Sequence, residues 1–188
     1  MARRSRGIIR RNVVAAALAT FMLAGCGGMK LDHFEDTQPA LTLEDYFDGS
    51  TRAWGVFHDR FGKLRRRFTV DIAGTFDGKV LTLDEDFLYD DGEVQKRVWT
   101  IEVLGDGRYR GSAGDVVGVA EGRTSGAAMN WTYVMDLAVG DGTWRVGFDD
   151  WLVKIDEDTV YNRATVSKWG FEIGTVTLFF RRADQPAS

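Results

Sequence analysis

The stretch LRRRFTVDIAGTFDGKVLTLDEDFLYDDGEVQKRVWTIEV, residues 64–103, decides the fold. Side chains along a strand point alternately to opposite faces. On that period Leu64, Phe68, Val70, Ile72 and Phe76 share one face, Arg65, Arg67, Thr69, Asp71 and Thr75 share the other, and Arg66 falls on the apolar side. Beyond Asp77-Gly78, a dipeptide suited to the positive φ of a tight hairpin, Leu81, Leu83, Phe87 and Tyr89 share a face, with Glu85 among them. A two-residue turn at Asp77-Gly78 pairs Phe76 with Lys79, Ile72 with Leu83, Val70 with Glu85, Phe68 with Phe87 and Arg66 with Tyr89, so the apolar faces agree across the hairpin. In the third run Trp99, Ile101 and Val103 share a face with Arg97, which a three-residue turn sets opposite Phe87 and diagonal to Glu85.

The same texture continues outward from about Thr51. Short runs rich in Val, Phe, Trp, Tyr and Thr are interrupted at Phe61-Gly62-Lys63, Asp77-Gly78, Asp91-Gly92, Gly105-Asp106-Gly107, Gly114-Asp115, Ser125-Gly126, Gly140-Asp141-Gly142, Asp156-Glu157-Asp158 and Lys168-Trp169-Gly170. These breaks delimit about ten strands, and the connections are too short for parallel crossovers. The expected fold is all-β, an antiparallel up-and-down meander. Closing it into a barrel like those of lipocalins and fatty-acid-binding proteins removes both sheet edges. A two-sheet sandwich is the alternative that strand pattern alone leaves open. The barrel is expected over residues 47–182, with residues 183–188 as a disordered tail. Leu43–Gly49 reads as one helical turn stopped by Gly49, and residues 26–46 as a lipidated N-terminus and tether.

Polar residues on interior faces are the candidates for chemistry. Arg66, Glu85 and Arg97 gather there in this register, two cations against one anion, and a buried unpaired charge costs several kcal/mol. One completion is the carboxylate or phosphate of a fatty-acid-like or other anionic amphiphile, gripped by the arginine forks, with Tyr89, Trp99 and Trp151 among its aromatic walls. The other is an inward Asp149 or Asp150 that closes a salt-bridge network in a filled core, since small barrels are often filled by their own side chains. The stretch Phe148-Asp149-Asp150-Trp151 breaks alternation, which a β-bulge would explain. In the run from Val160 to Lys168, either Asn162 or Arg163 points inward.

The N-terminus carries Arg3, Arg4, Arg6, Arg10 and Arg11, then an apolar run Val13–Leu23 of 11 residues. That is a signal peptide's order of parts, over residues 1–25, and the run is shorter than the roughly 20 residues of a membrane-spanning helix. It ends in Leu23-Ala24-Gly25-Cys26, which resembles the lipobox of bacterial lipoproteins and implies that Cys26 is acylated. The expected partner is therefore membrane lipid through Cys26. The expected location is the cell envelope, on the periplasmic face of the outer membrane in a host with two membranes. Cys26 is the only cysteine, which excludes an internal disulfide. Removing residues 1–25 takes away five arginines and no acids, leaving 19 basic and 28 acidic residues and a formal charge of −9. Such a domain repels nucleic acid and anionic head groups. Nothing in the sequence indicates an oligomeric state.

Phe47-Asp48-Gly49, Ala53-Trp54-Gly55, Asp59-Arg60, Leu83-Asp84-Glu85, Tyr89-Asp90-Asp91-Gly92, Arg97-Val98-Trp99, Asp115-Val116-Val117-Gly118, Phe148-Asp149-Asp150-Trp151 and Asn162-Arg163-Ala164 occur in that order. Together they resemble the bacterial lipoprotein family called domain of unknown function 3833, from about Leu43 to Phe180, with Ala127 and Leu152 departing from the family's usual Asn and Met. The resemblance supports the lipoprotein reading and implies no substrate or reaction. Nor do the residues supply one. His58 is the only histidine outside the tether, too few for a histidine metal site or a Ser-His-Asp triad. Gly111, Gly114 and Gly118 lack the dinucleotide spacing, and Asp156-Glu157-Asp158 lacks an EF-hand's length. No cofactor, metal or catalytic set is expected. An acid and base pair drawn from Asp84, Glu85, Asp86 and Asp149 is the weakest alternative. The two leading readings are a tethered binding protein and a structural or protein-interaction lipoprotein with a filled core.

Overall fold

A computed structural model describes residues 28–183 of the chain. The expected signal peptide, Cys26 and residues 184–188 lie outside them. The chain divides into two units, Met1–Lys30 and Leu31–Ser188. Among the described residues no helix is long and apolar enough to cross a membrane.

The second unit opens with a 3-10 turn, Leu31–Phe34, and a short helix α1, Leu43–Phe47. Ten strands follow: β1 Gly49–Asp59, β2 Leu64–Phe76, β3 Val80–Tyr89, β4 Val94–Gly105, β5 Arg108–Ser112, β6 Ala120–Ser125, β7 Ala128–Val139, β8 Gly142–Lys154, β9 Thr159–Lys168 and β10 Phe171–Arg182. Each pairs antiparallel with its sequence neighbours, and β10 returns to β1, so the sheet is a closed barrel. The sandwich alternative is thereby excluded, and every expected break falls at a strand junction.

Two hairpin registers differ from the sequence expectation, each by an even step. In β2 and β3 the partners are Phe68 with Tyr89, Val70 with Phe87, Ile72 with Glu85 and Phe76 with Leu81. The turn is centred on Gly78-Lys79 because the Asp77 carboxylate accepts the N–H groups of Lys79 and Val80 at 2.9 and 2.7 Å, leaving Gly78 first in the turn at φ 96°. In β3 and β4 Arg97 faces Glu85 directly and Phe87 faces Gln95, since Tyr89 closes the turn onto Glu93. Even shifts keep each side chain on its face, so the inside and outside assignments survive.

The bulge expected in β8 is absent. Its pairing runs without a shift from Gly142 to Lys154, so Phe148, Asp150 and Leu152 point inward while Asp149 and Trp151 point outward. Alternation failed as a guide there because the outer face of β8 is itself covered. Phe34 packs on Trp151, ring centroids 6.5 Å apart.

That covering overturns part of the expected tether. Leu41, Leu43, Tyr46 and Phe47 are all buried, and α1 plugs the end of the barrel where β2 turns into β3 and β8 into β9. Tyr46 donates to the Asp158 carbonyl at 2.8 Å, and the Asp48 carboxylate accepts the Phe76 N–H at 3.1 Å. Only Gly74 lets the plug seat, because a Cβ there would lie 1.7 Å from the Phe47 carbonyl oxygen. The opposite end, ringed by the β1–β2, β3–β4, β7–β8 and β9–β10 turns, is open.

Candidate functional site

Between the plug and the open end lies a cavity of about 730 Å³, within the several-hundred-Å³ range of small-molecule sites. Arg66 and Arg97 both line it. One wall, from β1, β9 and β10, is apolar apart from Asn162, with small members such as Ala164. The facing wall, from β3, β4, β7 and β8, carries aromatic rings and a polar band.

Arg97 organises that band. Its guanidinium donates to the Asp115 carboxylate at 2.8–3.1 Å, lies 3.8 Å from Glu85, and sits over the Phe87 ring at 5.0 Å. Asp115 comes from the β5–β6 connection, which folds back along β7: Val116 bridges Met135 and the Asp136 N–H donates to the Asp115 carbonyl. The connection fills a gap in the wall left by the short strands β5 and β6, and the Arg97–Asp115 pair clamps it to β4. On β7 and β8, Tyr133 donates to Asp150 at 3.2 Å. Asn162 of β9 donates to the same carboxylate and to the Trp151 carbonyl at 3.2 Å. Trp99, Tyr133 and Phe148 form the aromatic side, with Trp99 edge-on to Tyr133 at 5.4 Å and Tyr133 stacked on Phe148 at 4.9 Å.

The balance of charge is therefore the reverse of the expected surplus. In the band one cation, Arg97, pairs with Glu85 and Asp115, and a third carboxyl, Asp150, is held by Tyr133 and Asn162. Burial raises Glu85 to a pKa of about 7; Arg97 opposes the shift, and Asp115 and Asp150 add to it. Burial likewise raises Asp150 to about 6 against the hydrogen bonds from Asn162 and Tyr133. Both acids thus titrate near neutrality, chiefly because burial penalises their charged forms. Burial first, then the Asp150 charge, pushes the Tyr133 phenol well above its usual range, so it stays a donor.

The expected site residues divide cleanly. Glu85, Arg97, Trp99 and Asn162 meet in the cavity, and Tyr89 lines it nearer the mouth, with its hydroxyl 3.0 Å from Gln95. Arg66 does not join Glu85 and Arg97. It sits at the mouth, 3.7 Å over the Tyr89 ring, and pairs with Asp91 and Glu93 at 2.9 and 2.8 Å, while its Nε is buried without a partner. Asp149, Trp151 and Arg163 are outside the barrel: Asp149 accepts from Asn130 at 2.7 Å, Trp151 lies under Phe34, and Arg163 is exposed. Of the two expected alternatives for an inward carboxylate, Asp150 takes the interior place and Asp149 does not. Sequence reading missed Tyr133 and Asp115. Tyr133 was legible, since it shares parity with Trp131, Met135 and Leu137. Asp115 was not, because only the folding-back of its loop brings it to Arg97.

A ten-stranded antiparallel barrel around an aromatic-lined cavity open at one end is a lipocalin-like barrel. The chain belongs to the family described as protein of unknown function (DUF3833), whose sequence model matches residues 20–182. No curated protein matches it in sequence. Among solved structures it is similar to the S-type phycobiliprotein lyase CPES from Guillardia theta, at 13% identity and TM-score 0.54 over 78% of this chain and 95% of that one. It also aligns with a de novo designed fluorescence-activating β-barrel, at 16% identity and TM-score 0.40 over 76% of this chain and 99% of the other. An odorant binding protein, OBP1, aligns at 15% identity and TM-score 0.37 over 79% of this chain and 78% of the other. At these identities the likeness concerns the fold alone.

Proposed function

We propose that the protein is an envelope lipoprotein, acylated at Cys26 after removal of residues 1–25, whose barrel binds a small amphiphile. The cavity of about 730 Å³ carries this reading. An apolar wall facing a band of donors and acceptors suits a molecule with an aliphatic or ring body and one polar group. A structural lipoprotein with a filled core has no use for such a space.

The polar group is the part that needs revision. An anionic head was expected to neutralise surplus positive charge, but Asp115 and Glu85 already engage Arg97, and Asp150 adds a further acid. A hydroxyl or amine therefore suits the band better than a carboxylate. One observation favours the anionic reading in another pose. Arg66 lines the cavity at its mouth, where its guanidinium can meet an acidic head group whose tail runs inward.

Displacement of N-phenyl-1-naphthylamine by dodecanol, dodecyltrimethylammonium and dodecanoate separates these poses. The proposal expects the dye to brighten on binding and dodecanol to displace it more strongly than dodecanoate. If dodecanoate competes best and Arg66→Met removes that advantage, the head group belongs at the mouth. A dye that stays dark with the folded protein refutes a ligand cavity.

A further inference from the structure

The most exposed large apolar side chains sit together at the open end. Phe61, Val94, Trp169 and Phe171 are 80%, 74%, 86% and 72% exposed, and no other large apolar side chain in the described residues exceeds 57%. They occupy three separate turns around the mouth: β1–β2, the start of β4, and β9–β10. Leaving this much apolar surface in water is unfavourable by about 1.5–3 kcal/mol for each side chain that a partner could bury, and contiguous exposed apolar surface on a folded domain marks a contact site.

The chemistry of the rim distinguishes its occupant. Two basic side chains lie over its rings: Arg60 is 4.7 Å from the Phe61 centroid, and Lys168 Nζ is 3.6 Å from that of Trp144 and 4.7 Å from that of Trp169. Aromatic bodies with cationic tips beside them suit the boundary between acyl chains and head groups. The remaining charges largely cancel within the rim, with Arg65 on Asp59, Arg66 on Asp91 and Glu93, and Arg67 on Asp90. The rim thus has no strong field to seek an acidic or basic protein. Nor does the chain beyond residue 25, at −9, favour an anionic surface. The tips stand on separate hairpins around an opening, which a fluid surface can fill and a rigid flat one cannot. We infer that the mouth of the barrel docks on a zwitterionic phospholipid surface, inserting Phe61, Val94, Trp169 and Phe171 among the head groups. This contact is separate from any acyl anchor at Cys26, it does not depend on what the cavity holds, and it sets the opening against the phase in which amphiphiles dissolve.

Among the described residues every strand and every core residue lies after Leu31, so a chain starting at Gly28 contains the whole barrel, has no acyl anchor and has no cysteine. The test is sedimentation of this chain with phosphatidylcholine vesicles. It should co-sediment, and the triple variant Phe61→Ser, Trp169→Asn, Phe171→Ser should lose about a hundredfold in affinity with its melting temperature unchanged. In a second measurement, an environment-sensitive fluorophore at Phe61→Cys should shift to the blue on adding vesicles, and one at Ile155→Cys, by the plugged end, should not. The inference is overturned by a chain that stays in the supernatant, by a triple variant that binds as well as the parent, or by equal shifts at both labels. It is also overturned if the rim mutations abolish self-association in the absence of vesicles and vesicle binding is never seen, which would assign the rim to a second copy of the chain.

Discussion

The two ends of the barrel solve opposite problems with the same kinds of residue. At the plugged end Tyr46 and Phe47 are 2% and 3% exposed, and the Tyr46 hydroxyl donates to a backbone carbonyl of the β8–β9 turn. At the mouth, Phe61 and Trp169 stand in solvent beside arginines and lysines. An aromatic side chain is therefore no guide to core by itself; what matters is whether the backbone around it offers a place to pack. Gly74 offers that place to Phe47. Phe61 instead stands exposed on a turn held by the Asp59 carboxylate, which accepts the Phe61 and Lys63 N–H groups.

Phe47→Ala attacks the plugged end and should have the largest effect. Phe47 sits edge-on to Tyr46 at 4.9 Å and to Phe180 at 5.4 Å, and truncating a buried phenylalanine costs about 4 kcal/mol. Urea denaturation should show that loss. A loss below about 1 kcal/mol would mean that α1 rests on the barrel without holding it closed, and the contrast between the ends would collapse.

The polar band between the two ends comes next. Arg97→Met leaves Asp115 and Glu85 without their cation, and breaking a buried pair costs several kcal/mol. With the Arg97 and Asp115 side chains 13% and 23% exposed, about 3 kcal/mol is expected at pH 8. The loss should be smaller at pH 5, where Glu85 takes up a proton in place of its partner. Comparing denaturation of the variant and the parent at the two pH values tests this, and equal losses would show that Glu85 does not share the charge of the band.

The parent protein has its own pH dependence. Glu85 and Asp150 bind protons more tightly in the fold than in the unfolded chain, at about 7 and 6 against ordinary values of 4.5 and 3.8. Their contribution is complete below the unfolded values and is lost as pH rises through 6 to 7. Stability should fall by roughly 4 kcal/mol between pH 5 and pH 8. The lowered acids at the turns, such as Asp77 and Asp90, act below this window. Glu85→Gln with Asp150→Asn should flatten the profile, and a parent stability that rises over the same range would contradict the placement of these acids.

What the sequence made legible follows from which signals are local. Alternation and glycine breaks are local, so the ten strands, the closed barrel and the inward faces of β2, β3 and β4 were readable from residues 64–103 and their echoes. Register depends on which residue begins a turn. The Asp77 side chain moved that position by one between β2 and β3, and the closure of Tyr89 onto Glu93 in the next turn set Arg97 opposite Glu85. Facing across the barrel is not local at all. Asp115 reaches Arg97 through a loop folded against β7, so the sign of the interior charge could not be read from the strand pattern. Trp151 misled because an outward strand face under Phe34 has the same composition as an inward one.

The smallest predicted effect is the one that most sharpens the contrast between the ends. Phe61→Ser and Trp169→Asn remove large apolar groups, and on composition alone they resemble core truncations. Because both side chains lie more than three-quarters in water, each should change stability by no more than about 0.5 kcal/mol. That is a small fraction of the effect of Phe47→Ala on the same barrel. The result matters in both directions. A near-zero change means that selection for folding does not explain why tryptophan and phenylalanine stand at these tips, and it leaves a surface contact as their reason. A loss above about 1 kcal/mol would mean that the tips pack on one another and close the mouth, making the cavity enclosed and the barrel alike at its two ends.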